Sequence, residues 1–102
     1  MIKQIIITLF IIKTCLYCQD LLIYMDQNQT DHLKAYGIVF RVLNSGYKAK
    51  WLLNYRGGSF VVPSIAENEC YEEGVKFQKI SGSDWARISA TIENNNMEIM
   101  EL

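Results

Sequence analysis

The chain has 102 residues, half of them hydrophobic, and a formal net charge of −1 at pH 7. This length allows one small domain. The absence of a basic stripe argues against a nucleic-acid partner.

Residues 1–18 have the pattern of a secretory signal peptide. Lys3 precedes an apolar run over residues 5–12, and the small residue Cys18 stands before Gln19. Lys13 shortens the apolar run below the ~20 residues that a membrane-spanning helix needs. We therefore expect cleavage after Cys18, export to the periplasm or beyond, and no stable membrane span. The alternative is a buried hydrophobic strand at the start of a cytosolic domain.

The cysteines do not predict a redox or metal site. Cleavage would remove Cys15 and Cys18 and leave Cys70 as the single cysteine, expected to be a buried thiol. The Cys-x-x-Cys spacing within the first 18 residues lacks the folded strand–helix context of a redox or metal motif. We expect no metal site, and the residues identify no cofactor.

The first predicted elements are a strand and a helix. The nearly continuous apolar run over 20–26 is typical of a strand covered on both faces. Thr30 or Asp31 can cap the helix that follows, and Gly46 can end it. Apolar residues recur along this helix at three- and four-residue spacing, which predicts its core-facing side. They are Leu33, Tyr36, Gly37, Phe40 and Leu43.

The remainder of the chain repeats this alternation. The predicted elements are a strand over 48–54, a helix over 65–73, a strand over 75–80 and a third helix opened by Ser81 or Ser83. Trp51 and Trp85 are predicted core residues, and Gly37 indicates close packing of the first helix on the sheet. Residues 97–102 begin another run.

Strand–helix alternation of this kind predicts an α/β fold in three layers. We expect a small parallel sheet in the order β-α-β-α-β-α, with right-handed crossovers and helices on both faces, like half of a Rossmann or flavodoxin fold. The predicted domain spans residues 19–96, and residues 97–102 would start a following segment. Because the last run has no partner, we expect the chain to be the N-terminal part of a longer protein or a truncated product.

The candidate binding residues follow the first two strands. In a parallel sheet, ligands bind beyond the carboxyl ends of the strands. Two glycines let the backbone approach a ligand closely, and an arginine with successive N–H groups can hold a carboxylate or phosphate. The candidates are Asp26, His32, Asn54, Arg56, Gly57, Gly58 and Ser59.

Simpler interpretations of these residues stay open. The glycines can form only a tight turn, and Arg56 can be solvated or paired with an acid. Asp26 can be a plain loop acid, and His32 can be an exposed residue of the first helical turn.

Three blocks of the sequence resemble a family of secreted proteins from Bacteroidetes commonly named asparagine synthetase B. The blocks cover residues 21–26, 32–37 and 51–60, and residues 65–70 and 96–98 fit the family's continuation. Members of that family are longer, so the resemblance implies that this protein is also part of a longer chain. The named activity requires a cysteine at the mature N-terminus, but residue 2 is Ile2, and the ATP-binding half is absent. We therefore treat the family name as a label.

Two functions from different classes are compatible with the sequence. The first is an exported α/β module that binds an anionic small molecule at Asp26 and residues 54–59. The second is the N-terminal part of an amidotransferase-like or other hydrolytic enzyme whose catalytic residues lie beyond Leu102. A third possibility is a structural domain without a ligand.

Overall fold

The computed structural model of the protein describes residues 19–102, so the predicted signal peptide lies outside the described residues. In chain order the elements are β1 (Asp20–Ile23), α1 (His32–Asn44), β2 (Lys50–Leu53), β3 (Ser59–Pro63), a 3-10 turn (Ser64–Ala66), α2 (Glu67–Glu73), β4 (Gln78–Ile80), α3 (Gly82–Asn94) and β5 (Glu98–Glu101).

The strands form one five-stranded sheet in the order β4-β1-β3-β2-β5, and every neighbouring pair is antiparallel. The predicted parallel, Rossmann-like sheet is therefore wrong, and the protein is a small α+β domain. From β1 to β4 the elements follow the order β-α-β-β-α-β of the split, ferredoxin-like arrangement. The last run of the chain, expected to start a following segment, supplies β5 beside β2.

The sequence prediction failed because it missed β3. The sequence pattern predicts that residues 59–63 lead from a strand into a helix, whereas they turn back and pair with β2 from Leu52↔Ser59 to Lys50↔Val61. The reversal occurs at Gly57 and Gly58, whose φ angles of 79° and 88° suit a hairpin. β3 then lies between β1 and β2, which remain parallel to each other without being neighbours.

Helices cover both faces of the sheet because successive strand residues point to opposite sides. Leu21 and Ile23 of β1 pack in one cluster with α1 and α2, whereas Leu22 packs in a second cluster with Ile88 and Ile92 of α3. Trp51 and Trp85 are half-buried against the first and the second cluster, respectively. β1 is thus buried on both faces at the centre of the domain.

The core-facing side of α1 differs from the predicted one. Its buried residues are Ala35, Ile38, Val39 and Val42, which also have helical spacing. The larger Leu33, Tyr36 and Phe40 are 80%, 53% and 67% exposed. Gly37 does not touch the sheet closely, since a Cβ there would meet only the Arg41 guanidinium, at 3.7 Å. Both sides of the helix have apolar residues at helical spacing, so the spacing alone did not identify the buried side.

Local signals at the helix ends are confirmed. Asp31 caps α1 by accepting a hydrogen bond from the Lys34 N–H, at 3.0 Å. Ser81 and Asp84 form a reciprocal capping box at the start of α3. Gly74 ends α2 in a left-handed conformation with φ 70°.

The β2–β3 hairpin packs against the end of β1. The Met25 N–H donates a hydrogen bond to the Arg56 carbonyl, at 3.1 Å. Gly57 lies so close to this segment that a Cβ on it would be 2.5 Å from the Met25 carbonyl oxygen. Glycine is therefore required at position 57 for its positive φ and also for the missing side chain.

The hairpin contact predicts a graded response to Gly→Ala substitutions. We expect Gly57→Ala to lower the free energy of unfolding by about 2–4 kcal/mol, because it combines left-handed strain with a backbone clash. Gly46→Ala, with φ 90° and open space around the Cβ, should cost only about 1 kcal/mol. Urea unfolding followed by circular dichroism would measure both.

Gly82→Ala is the control for this series, because its Cβ meets nothing within 4 Å and its φ is not positive. It should be neutral or stabilising by up to about 1 kcal/mol. Equal losses for Gly57→Ala and Gly46→Ala would contradict the close approach of the hairpin to Met25.

Candidate functional site

β1 and β2 are both antiparallel to β3, so they run in the same direction. The loops that follow them therefore lie at the same end of the strands. This placement brings Asp26 and Arg56 together, with Arg56 Nε 2.7 Å from Asp26 Oδ2. The Arg56 guanidinium also lies over the Tyr24 ring, 4.3 Å from its centroid. The two loops that the sequence predicted as ligand-binding loops are therefore joined by an ion pair with a cation–π contact.

The carboxylate of Asp26 is held in its charged form. The hydrogen bond from Arg56 lowers the pKa of Asp26 below its ordinary value of 3.8, and the Asn28 backbone N–H adds a hydrogen bond at 3.0 Å. Both side chains of the ion pair are about three-quarters buried, at 29% exposure for Arg56 and 25% for Asp26. Arg56 thus has the acidic partner that the simpler interpretation allowed.

His32 links the start of α1 to the loop after β1. Its Nε2 lies 3.0 Å from the Met25 carbonyl oxygen and 3.0 Å from that of Asp26. Because both partners are carbonyl acceptors, Nε2 carries the proton and donates. His32 therefore holds the loop in place, and it touches neither Cys70 nor a serine hydroxyl in the described residues.

The other predicted site residues build the hairpin itself. Ser59 is completely buried and donates its hydroxyl hydrogen to the Arg56 carbonyl, at 3.0 Å. The Gly58 carbonyl accepts a hydrogen bond from Trp51 Nε1, at 3.1 Å. Asn54 is exposed at the turn with φ 66°. Of the candidates on this loop, only Arg56 borders the cleft described next.

An open cleft of about 600 Å³ lies beside the ion pair. Its walls come from the loop after β1, the side chain of Arg56 and the segment leading into β4. The residues that line it are Tyr24, Gln27, Asn28, Gln29, Thr30, Arg56, Lys76, Phe77 and Gln78. Among these, only Arg56 is a site residue predicted from the sequence.

Gln29 holds two walls of the cleft together. This nearly buried side chain donates from Nε2 to the Tyr24 carbonyl at 2.9 Å and to the Lys76 carbonyl at 2.8 Å. Its Oε1 accepts from the Lys76 N–H at 2.8 Å and from the Thr30 N–H at 3.1 Å. All four hydrogen-bonding positions of the amide are filled. The sequence contained no signal for this role, because a glutamine in a polar loop resembles a solvated one.

The cleft has a cationic lining. Arg56 and Lys76 are its charged residues, and no carboxylate belongs to its walls. Within residues 19–102, Asp26 is the one acid within 4 Å of the Arg56 guanidinium. Amide side chains of Gln27, Asn28 and Gln78 add hydrogen-bonding capacity at the rim.

Within the described residues, the Cys70 thiol is not activated and no cluster of metal-ligating side chains is found. Burial raises the pKa of the Cys70 thiol to about 11, with further increases from Glu69 and Glu67, so the thiol is not activated. No three His, Cys, Asp or Glu side chains within residues 19–102 come close enough together to bind a metal ion. No helix in this part of the chain has the length and apolar character needed to cross a membrane.

Comparison with known proteins gives no match to a family model, a curated protein or a solved structure. The resemblance to the Bacteroidetes family therefore stays a prediction from the sequence blocks.

The ion pair predicts a pH dependence of stability. Because folding lowers the pKa of Asp26, its contribution is complete above pH 3.8 and is lost as the pH falls through the folded-state value. We expect Asp26→Asn to lower the urea midpoint at neutral pH and to approach the wild-type midpoint in acid. Urea titrations between about pH 7 and pH 2 would measure this difference.

Asp20→Asn is the matched control, since Asp20 is exposed and forms no ion pair in the described part of the chain. It should change the midpoint little. A deficit of Asp26→Asn that remains constant down to about pH 2 would show that the ion pair is not its cause.

Proposed function

We propose that this domain is a binding module that holds a small anionic molecule in the cleft beside Arg56. The observation that carries the proposal is the cationic lining of the cleft, where Arg56 and Lys76 occur without a lining carboxylate. The cleft is open to solvent, so it can hold a small anion without enclosing it.

Arg56 is oriented before any ligand arrives. Asp26 accepts from Nε at 2.7 Å, and the Tyr24 ring supports one face of the guanidinium. A guanidinium has five N–H donors, so this ion pair leaves donors of the two Nη groups for a second carboxylate or a phosphate. Because folding already orders the side chain, binding requires little additional loss of conformational entropy.

Asp26 also limits the strength of anion binding. The ion pair offsets most of the net charge of Arg56, so Lys76 supplies the uncompensated cation of the cleft. The Lys76 backbone is fixed on both sides by Gln29, which positions the start of its side chain. Recognition should therefore depend on directed hydrogen bonds from Arg56 and on the charge of Lys76 together.

Aromatic walls favour a ligand with a planar or apolar part. Tyr24 and Phe77 both line the cleft; the Arg56 guanidinium covers one face of the Tyr24 ring, and Phe77 packs partly against the core. We therefore expect an aromatic carboxylate to bind better than acetate. The proposal that the module works outside the cytoplasm depends on the sequence pattern of residues 1–18.

Substitution of Lys76 tests the proposal without touching the hairpin. Lys76→Ala should weaken benzoate binding about 5- to 20-fold, because it removes one charge-assisted contact. Its backbone hydrogen bonds to Gln29 do not involve the side chain, so the fold should be unaffected. NMR titration of the protein at low ionic strength, with benzoate, acetate and inorganic phosphate as probes, would measure the affinities.

Lys48→Ala is the matched control. Lys48 is exposed, lies outside the cleft and changes the net charge equally. Affinities that fall equally in both variants would indicate nonspecific charge attraction and contradict the site. The proposal would also fail if none of the three anions shifts the resonances of Arg56 or Gln78.

A further inference from the structure

We propose that the outward face of α1 is the interface of a symmetric dimer, in which two copies of α1 pack antiparallel. The interface consists of Leu33, Tyr36, Phe40 and Leu43, which we call the α1 seam. Leu33, Tyr36 and Phe40 are among the most exposed large hydrophobic residues of the described chain, and Leu43 is half-buried at the margin of the core.

The spacing of the α1 seam matches helix-on-helix packing. Its residues follow one another at intervals of three, four and three positions, which is the a–d pattern of a heptad repeat. The sheet-facing side of α1 uses a different set of residues, from Ala35 to Val42. One helix therefore carries two apolar stripes: the sheet buries the first, whereas only Tyr36 and Leu43 of the second reach the core.

The charges beside the seam are already paired within the domain. Lys34 lies 3.9 Å from Glu73, and Arg41 contacts both Glu69 and Glu73 of α2. These pairs lie on the flank of α1 that faces α2. The seam itself has no charged residue, which argues against an acidic or basic peptide as its occupant.

A second copy of the seam complements the first. In an antiparallel pair, each a position faces a d position of the other helix. Leu33 then faces Leu43 of the partner subunit, and Tyr36 faces Phe40 of the partner subunit. Two-fold symmetry repeats both contacts, so the four layers consist of two leucine pairs outside two aromatic pairs. Gly37 beside the seam has no Cβ to hold the backbones apart.

The exposed apolar surface has the size of a weak, reversible interface. The exposed parts of Leu33, Tyr36 and Phe40 amount to on the order of 400 Å², about half of the ~800 Å² that one partner contributes to a standard interface. Tyr36 contacts Phe60, with ring centroids 5.7 Å apart, and Phe60 stacks on Trp51 at 6.1 Å, but Phe60 is itself buried, so the exposed surface does not extend through it. Met100, which pairs with Trp51 across β2 and β5, is 45% exposed on the same side.

The proposal is tested by measuring how the average molecular mass of the protein in solution depends on its concentration. Sedimentation equilibrium of the full chain should show a monomer–dimer equilibrium with a dissociation constant below about 200 μM. Phe40→Glu, at a central layer, should weaken association by at least tenfold, because it places a charge opposite an aromatic ring. A wild-type chain that remains monomeric up to about 200 μM would overturn the proposal.

Leu33→Glu keeps the proposal falsifiable if Phe40→Glu unfolds. Position 33 lies in the first turn of α1, where a negative charge favours the helix. This variant should fold at least as stably as the wild type and yet dimerise less. Unchanged association of Leu33→Glu would contradict an interface on the α1 seam.

Ile65→Glu is the matched control for surface hydrophobicity. Ile65 is 58% exposed in the turn before α2 and does not belong to the seam. It should dimerise like the wild type. If all three variants weaken association equally, general hydrophobic attraction, residues 1–18 included, explains the dimer and the α1 seam does not.

Discussion

The contact between the β2–β3 hairpin and the end of β1 is the constraint on which this domain depends. Gly57 approaches Met25 more closely than any side chain would allow, and the Met25 N–H donates to the Arg56 carbonyl. The same contact reverses the chain so that β3 enters the centre of the sheet. It also brings the Arg56 side chain to Asp26, so a fold requirement and the candidate site share one loop.

This shared loop changes what its residues indicate about function. Gly58 and Ser59 resemble ligand-binding residues in the sequence, but their partners are Trp51 and the Arg56 backbone. His32 likewise bonds to backbone carbonyls. The polar surface available to a ligand lies instead between the loop after β1 and the segment before β4, where Gln29 joins the two walls. A sequence block that resembles a binding site can therefore be required by the fold instead of by a ligand.

Some apolar surfaces of the domain are covered by other elements, and one is exposed. β1 is covered on both faces, by α1 and α2 on one side and by α3 on the other. α1 has a second stripe that no described element covers. Exposing several large side chains on one helix is unfavourable in water, so this stripe needs a physical account beyond the stability of the monomer.

The sequence by itself determined where several helices begin and end, because helix caps depend on interactions between residues close in the chain. The caps at Asp31 and Ser81 and the terminator Gly74 act within one helical turn, so their chemistry is readable without the fold. The direction of the sheet depended on whether Gly57 and Gly58 lead to a helix or a hairpin, and the apolar run after them fits both. α1 has apolar residues at helical spacing on two sides, so only its packing on the sheet decided which side is buried. The Gln29 bridge joins residues 47 positions apart, so only the tertiary structure could decide it.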